Sequence, residues 1–202
     1  MAHLTLPESI YQAMLAHARA DFPNEACGLL RGREGLVVEI LTARNISSTP
    51  RSDYEVDPET LLRALAWEDE GDALIAIYHS HPASPAYPSA VDAAKAFYPD
   101  SVYLILSLQN PHAPQLAGFF LRPEIILRGN AAAKLLREMV FTQVRPGLRS
   151  LYLPSEHPRL EGLPDDTPSQ VAFYLIFDEN DSHPSPIVRL ISVQPVTLTI
   201  QL

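Results

Sequence analysis

The stretch ALIAIYHSHPASPAYPSAVD, residues 73–92, decides how this chain is organised. Its first nine residues begin with six apolar ones, residues 73–78, which predicts a strand that is buried on both faces. A proline ends that strand, and a proline-broken loop leads to Ser89, where a helix is expected to begin. Residues i and i+2 of a strand point to one face, so His79 and His81 are expected to project together, with Ser80 opposite.

The sequence around this stretch alternates between helix-forming and strand-forming patterns. Asp57 is the expected N-cap of one helix, and Leu61, Leu62 and Leu65 are expected to face inward from it. An alternating order of helices and strands predicts an α/β fold in which helices sandwich one mixed sheet. The remaining predicted elements are a helix over residues 7–20, a hairpin over 26–43, a helix over 58–71 and a strand over 101–108.

Beyond Arg128 the patterns weaken. Asn130 is the expected cap of a helix that runs through Val140. We therefore divide the chain into a domain of residues 1–128 and a β-rich C-terminal extension of residues 129–202. Its strands are expected to join the same sheet or a small one beside it. Three β-like runs follow the predicted helix, over residues 171–177, 187–193 and 195–202.

Composition limits the class of protein. Of 202 residues, 47% are hydrophobic and 19% are charged, which is typical of a soluble globular protein. No apolar run approaches the roughly 18 residues of a membrane span, and no signal peptide is evident, so we expect no membrane association. A net charge of −9 argues against a nucleic-acid-binding face. The single cysteine excludes an internal disulfide and favours the cytoplasm.

The histidine pair is a candidate metal site. Two imidazoles on one face of a strand bind one ion if a third ligand arrives, and the loop is long enough for Asp92 to supply it. Two histidines, one aspartate and an open fourth position match a catalytic zinc site. The same donor set also suits non-haem iron, although the amphipathic helices argue against the β-barrel that usually carries it. A simpler interpretation is that Ser89 and Asp92 only form a capping box, and the two interpretations are compatible.

A remote carboxylate strengthens the catalytic interpretation. In PNEACGLLRG, residues 23–32, Glu25 comes at the start of the first β-rich run. Zinc-bound water needs a base, and a carboxylate that is not itself a ligand is able to take its proton. Cys27 lies two residues further on, so on an extended segment it faces the same side. It is interpreted either as a small buried side chain or as a redox-sensitive thiol that displaces the zinc water.

Glu25, His79-Ser80-His81-Pro82, Ser89 and Asp92 together resemble the signature of the JAMM (MPN+) metalloproteases, in its bacterial and archaeal branch. The resemblance covers roughly residues 1–125 and implies the JAMM/MPN, cytidine-deaminase-like fold. It also implies one Zn²⁺ per chain, bound by the two histidines and Asp92. Glu25 would be the general base, and Ser89 would stabilise the oxyanion.

The resemblance further implies hydrolysis of a peptide or isopeptide bond after the C-terminal Gly-Gly of ubiquitin or a ubiquitin-like protein. The alternatives are processing of a ubiquitin-fold sulfur-carrier adduct and a non-catalytic MPN-type scaffold, which the complete signature disfavours. The partner would be the substrate's C-terminal tail, laid along a strand edge. The particular substrate, the role of residues 129–202 and the oligomeric state, a homodimer included, stay open.

Overall fold

The computed structural model of the chain describes residues 2–156 and 171–202. Residues 157–170, which belong to the predicted extension, lie outside the described part. Within it no helix is long and apolar enough to cross a membrane. The helices of the described residues are α1 (Glu8–Asp21), α2 (Pro58–Leu65), α3 (Ala90–Ala94) and α4 (Asn130–Glu138), with a short 3₁₀ helix over Glu68–Glu70. The strands are β1 (His3–Pro7), β2 (Cys27–Arg33), β3 (Leu36–Ala43), β4 (Ala73–His81), β5 (Val102–Ser107), β6 (Gln115–Arg128), β7 (Thr142–Arg145), β8 (Leu148–Leu153), β9 (Ala172–Asp178) and β10 (Ile187–Gln201).

These elements group into two compact units, each of them discontinuous in sequence. Strands β6 and β10 contribute residues to both units. The division of the chain at residue 128 into a domain and an extension stays a prediction. The first unit comprises Met1–Tyr87, Asp100–Phe120 and Pro195–Leu202, and the second comprises Pro88–Pro99 and Leu121–Gln194.

The strands of the first unit pair in the order β1-β3-β2-β4-β5-β6. β4 lies in the interior of this order, antiparallel to β2 and parallel to β5. Its last six residues are all buried, as the apolar run predicts. β1 also pairs, in parallel, with the C-terminal end of β10. The pairing is therefore mixed, and the predicted class, a mixed sheet flanked by helices, is confirmed.

Helix α1 covers one face of this sheet. Its buried residues include Ile10 and Met14. They pack in one apolar cluster with Leu30 of β2, Tyr78 of β4 and Leu104 of β5. The side chains of His79 and His81 alternate with Tyr78 along β4, so they occupy the other face of the sheet.

Helix α2 is shorter than predicted and is rotated about its axis. It ends at Leu65, and its buried residues are Thr60 and Ala64. Leu62 and Leu65, predicted to face inward, are each 67% exposed. The N-cap decides the rotation, because the carboxylate of Asp57 accepts hydrogen bonds from Thr60 and from the backbone N–H of Arg44 at the end of β3. The contact with the sheet then falls on the narrow stripe of Thr60 and Ala64, and the leucines lie outside it.

The second unit has its own strand pairs and its own apolar core. β9 is antiparallel to both β8 and β10, and β7 pairs with β8. Helix α4 packs through Ala132 and Leu135 on one face of these strands, against Phe173 and Leu175. Helix α3 contacts β9.

Several predictions for this region need correction. Asn130 is the first residue of α4 and Gly129, whose φ is 57°, is its cap, so the predicted N-cap is one residue off. The runs 187–193 and 195–202 form one continuous strand, β10, because Pro195 interrupts neither its extended backbone nor the pairing on either side. The sequence patterns also missed β1, β6, β7 and β8.

The Asp57 cap gives a first prediction. Asp57→Ala is expected to lower the free energy of unfolding by about 1 kcal/mol, the usual value of an N-cap. Hydrogen bonds, first from the Thr60 hydroxyl and then from backbone N–H groups, lower the pKa of Asp57 below its ordinary value. Its stabilisation is therefore present above the unfolded pKa of about 3.9 and is lost as pH falls through the folded pKa.

Urea unfolding of the wild type and Asp57→Ala, repeated between pH 7 and about pH 2, measures this difference. Asp69→Ala, which removes an exposed carboxylate from the 3₁₀ helix after α2, is the control and should leave stability unchanged. A difference between wild type and Asp57→Ala that persists undiminished at the lowest pH would contradict the assignment.

Candidate functional site

The two histidine side chains of β4 converge, as their spacing predicts. Both are buried, and the Nε2 atoms of His79 and His81 lie 3.0 Å apart. The ring centroids are 4.9 Å apart. Two nitrogens bound to one tetrahedral zinc at about 2.0–2.1 Å would lie about 3.3 Å apart, so this spacing is close to that of two ligands of one ion.

A backbone carbonyl fixes the orientation of the His81 ring. Its Nδ1 lies 2.8 Å from the carbonyl oxygen of Pro85. A carbonyl only accepts hydrogen bonds, so Nδ1 carries the proton and, in the neutral ring, Nε2 presents a lone pair. The loop that supplies this carbonyl is held in turn by Ser107, whose hydroxyl donates to the carbonyl of Ser84 at 2.6 Å. Metal-binding histidines usually have this second hydrogen bond.

The His79 ring is held by stacking. Tyr54, in the loop between β3 and α2, lies nearly parallel to it, at an interplanar angle of 18° and a centroid distance of 4.4 Å. Offset stacking of this kind restricts the second χ angle of a histidine without using its nitrogens. No sequence pattern predicts that Tyr54 lies here, because a tyrosine in an irregular loop has no periodicity that would place it.

Ser80 points to the opposite face, as predicted, and fixes the start of β2. It is fully buried, and its hydroxyl oxygen accepts the backbone N–H of Ala26 at 2.9 Å. Its own N–H donates to the carbonyl of Ala26 at 2.9 Å. These two bonds extend the β2–β4 pairing, in which Cys27 lies opposite His79, by one residue toward the N-terminus.

The same register determines where Glu25 lies. Continuing the antiparallel pairing past Ala26 and Ser80 puts Glu25 across from His81. Residues directly opposite each other share a face, with Cβ atoms about 4.5–5.5 Å apart. The buried Glu25 side chain therefore starts on the face that carries both imidazoles. A role for Glu25 as the general base stays a prediction.

The backbone of Glu25 is secured by the loop that follows β3. Its N–H donates to the carbonyl of Pro50 at 2.7 Å, and its carbonyl accepts from the Asn45 side chain at 2.9 Å. Asn45 also donates to the carbonyl of Asp53 and accepts the N–H of Glu55, so one amide organises the loop around the acid. No sequence pattern predicted this role for Asn45, whose one available signal was its place two residues after a β-rich run.

Asp92 and Ser89 form the predicted capping box at the start of α3. The Ser89 oxygen accepts the N–H of Asp92 at 3.1 Å, and the Asp92 Oδ2 accepts the N–H of Ser89 at 2.6 Å. Ser89 uses only its oxygen in this cap, so its hydroxyl proton is not consumed by it. In the cap Asp92 uses one carboxylate oxygen, Oδ2. The capping and ligand interpretations are therefore compatible.

Three of the predicted residues meet in one cluster. A nitrogen from each of His79 and His81 and a carboxylate oxygen of Asp92 all lie within 4.8 Å of one another, and all three residues are buried. Two imidazoles and one carboxylate are a donor set that zinc favours, and the His81 ring presents the correct nitrogen. The residues present therefore fit a zinc ion.

Cys27 is fully buried on β2, where it pairs with His79 of β4. Burial, followed by the negative charges of Asp21, Asp57 and Glu25, raises the pKa of its thiol to about 12. The thiol is then protonated at neutral pH, as expected of a small buried side chain. Regulation of the metal by Cys27 stays a prediction.

The bond between Ser80 and Ala26 gives a second prediction. Ser80→Ala leaves the buried N–H of Ala26 without its acceptor, which is expected to cost about 1–3 kcal/mol of unfolding free energy. Thermal or urea unfolding measures it, with the exposed Ser48→Ala as control. Equal stability of the two variants would mean that the serine does not secure the strand start.

Comparison with known proteins gives the family. Residues 7–118 match the sequence model of the prokaryotic homologs of the JAB domain. The chain is 37% identical over 119 residues to the CysO-cysteine peptidase of Mycobacterium tuberculosis (strain ATCC 25618 / H37Rv), covering 57% of this chain and 81% of the relative. It is 39% identical over 113 residues to the desampylase of Haloferax volcanii, covering 52% of this chain and 81% of the relative.

A solved structure agrees. The solution structure of protein DSY2949 from Desulfitobacterium hafniense has a TM-score of 0.54 and 40% identity, covering 59% of this chain and 84% of that chain. The family match includes Glu25, both histidines, Ser89 and Asp92 and ends before the last third of the sequence. The chain therefore belongs to the prokaryotic branch of the JAB (JAMM/MPN) family, as its signature predicts.

Proposed function

We propose that this protein is a zinc-dependent hydrolase that cleaves the peptide or isopeptide bond after the C-terminal Gly-Gly of ubiquitin or a ubiquitin-like protein. The observation that carries the proposal is the convergence of His79, His81 and Asp92, with their ligand atoms within 4.8 Å of one another. Membership of a family with peptidase and desampylase members supports hydrolysis as the reaction class.

In this proposal His79, His81 and Asp92 hold one Zn²⁺ per chain. The carbonyl of Pro85 keeps the proton of His81 on Nδ1, and Tyr54 keeps the ring plane of His79 fixed. Bound zinc would lower the pKa of a coordinated water to about 7 and polarise the scissile carbonyl. Zinc binds the lone pair of a neutral imidazole, which the hydrogen bond to Pro85 leaves on Nε2 of His81.

Glu25 is the proposed general base. It starts on the face of the two imidazoles and is buried, so it is able to accept a proton from the attacking water and return it to the leaving amine. Ser89 is the proposed oxyanion donor, because its cap uses the hydroxyl oxygen and not the hydroxyl proton. A donor aimed at a developing oxyanion is worth about 2.7–4 kcal/mol in the transition state.

The names of the relatives favour an adduct of a small ubiquitin-like protein as the substrate. One relative is a CysO-cysteine peptidase and another a desampylase. We therefore include processing of a ubiquitin-fold sulfur-carrier adduct as a second candidate for this chain. In both cases the Gly-Gly tail would bind in an extended conformation along a strand edge, where only glycines fit a narrow channel.

The complete donor set opposes the scaffold alternative, because Glu25 and all three proposed ligands are present and buried. We also propose a cytoplasmic location, since the one cysteine is a buried thiol. We keep residues 1–128 as the proposed catalytic domain. A homodimer stays a prediction.

The base assignment gives a third prediction. Glu25→Gln should keep the zinc but lower kcat by about 10²- to 10⁴-fold, because an amide cannot accept the proton. Zinc content by elemental analysis and steady-state cleavage measure the two effects separately. Glu59→Gln, an exposed acid on α2, is the matched control and should behave as the wild type. Unchanged turnover in Glu25→Gln would exclude it as the base.

The ligand assignment gives a fourth prediction. His81→Ala should lose both the zinc and the activity, because two donors do not retain the ion against a chelator. The wild type should contain about one zinc per chain when purified without added metal. His112→Ala, in an exposed loop, is the control. Stoichiometric zinc in His81→Ala would disprove the ligand set, and a metal-free wild type would favour a scaffold.

The substrate class is tested with ubiquitin-like fusions that carry the Gly-Gly junction. We expect a mass loss after the second glycine that a chelator abolishes and zinc restores, read by intact-mass spectrometry. A fusion in which the last glycine is alanine is the control and should resist cleavage. Cleavage of both fusions at equal rates would disprove selectivity for Gly-Gly.

A further inference from the structure

The helix that carries Asp92 is short. α3 has five residues, Ala90–Ala94, and so few turns are not stable on intrinsic propensity alone. Its capping box satisfies groups within the helix itself but does not fix the direction in which the helix points. The orientation of the Asp92 carboxylate must therefore be set by what packs against α3.

Tyr174 of β9 binds the chain at the start of α3. Its hydroxyl donates to the carbonyl of Pro88 at 2.7 Å. Burial raises the pKa of Tyr174 to about 12, so the hydroxyl keeps its proton at neutral pH. The ring packs against that of Tyr152 on the neighbouring strand, with 5.0 Å between the centroids. The Tyr174 ring, which carries the donating hydroxyl, is therefore held in place by Tyr152 of β8.

The carbonyl that Tyr174 binds is part of the peptide group that Asp92 also binds. The Pro88 carbonyl and the Ser89 N–H belong to one peptide unit, and the N–H donates to the Asp92 Oδ2 at 2.6 Å. Rotation of this unit would break both bonds together, because a peptide group is planar. Hydrogen bonds in such a chain also strengthen one another. Tyr174 thus constrains the Asp92 carboxylate through a single rigid peptide.

A second side chain binds the other end of the helix. Arg189 of β10 donates from its guanidinium to the carbonyl of Ala94 at 3.0 Å. This carbonyl belongs to the last turn, where helix carbonyls lack intrahelical partners and a cation is favourable. Arg189 pairs with Ile176, two residues after Tyr174 on β9, so both anchors extend from one face of the sheet. Within α3 itself, the small residues Ala93 and Ala94 are buried.

We propose that Tyr174 and Arg189 are positioning residues that hold the two ends of α3 and thereby aim the Asp92 carboxylate. The hydrogen bonds to Pro88 and Ala94 carry this inference. Both residues lie beyond the family match at residues 7–118, so the C-terminal strands of this chain supply a support that the matched region does not contain. The part that concerns zinc and catalysis rests on the proposed function.

The test begins with hydrogen exchange of the metal-free protein. In Tyr174→Phe, which removes one oxygen, the amides of residues 89–95 should exchange about three- to tenfold faster, as expected for one neutral hydrogen bond. Arg189→Gln should also speed amide exchange in residues 89–95. Arg189→Lys, which keeps the positive charge, should slow that exchange again in part. Controls are Tyr11→Phe on α1 and Arg149→Gln, whose side chain binds Glu179 and lies over Phe177 on the other face.

The second measurement is zinc affinity, and the third is kcat and KM from steady-state kinetics. Tyr174→Phe should weaken zinc binding and lower kcat by a similar factor while KM for the substrate is unchanged, because α3 aims a ligand and does not bind the tail. A variant that is merely less stable would keep wild-type zinc affinity at temperatures where it is folded. Circular dichroism establishes that each variant is folded.

The outcomes separate this inference from the proposed function. Unchanged exchange in residues 89–95 of Tyr174→Phe, relative to Tyr11→Phe, would overturn the inference whatever the activity of the protein. Faster exchange with unchanged zinc affinity would also overturn it, because the helix would then be held without any effect on Asp92. A wild type that binds zinc but cleaves no Gly-Gly fusion would refute the hydrolase, while weaker zinc binding in Tyr174→Phe would still support the positioning role.

Discussion

The constraint on which the site depends is the two-residue repeat of an extended strand. Because β4 is buried and paired on both sides, it cannot twist freely, so His79 and His81 must project from one face at its end. The residue between them must then face the other way. Ser80 uses that position to bind Ala26, which secures the neighbouring strand and with it the starting point of Glu25. One local geometry thus orients both imidazoles and the acid.

Irregular segments complete what the strand begins. The Pro85 carbonyl accepts a hydrogen bond from Nδ1 of His81 and so determines its tautomer. The ring of Tyr54 stacks on that of His79. The side chain of Asn45 donates a hydrogen bond to the backbone carbonyl of Glu25. None of these three contributes a ligand. They determine rotamer, tautomer and backbone position, which are the properties that a metal site requires of its surroundings. Loops on a rigid sheet commonly have this role.

The second unit shows that the C-terminal strands have more than one role. α4 packs on one face of β9, through Phe173 and Leu175, and gives the unit an apolar core. The other face presents Tyr174 and Arg189 to α3. The alternation of side chains along a strand allows both functions at once, since successive residues face opposite sides. A mostly apolar strand with one half-buried tyrosine gives no sequence signal for this division.

The sequence alone determined the histidine pair, the capping box and the mixed α/β class, because each follows from local spacing or from alternation of elements. It also located Glu25, through a signature with fixed residue types. It did not determine the rotation of α2, where Leu62 and Leu65 are exposed, because the bonds of Asp57 to Arg44 and Thr60 set that rotation. Nor did it reveal Tyr54 or Tyr174. Their partners are 25 and 86 residues away in the chain, and only the tertiary structure brings such distant groups into contact.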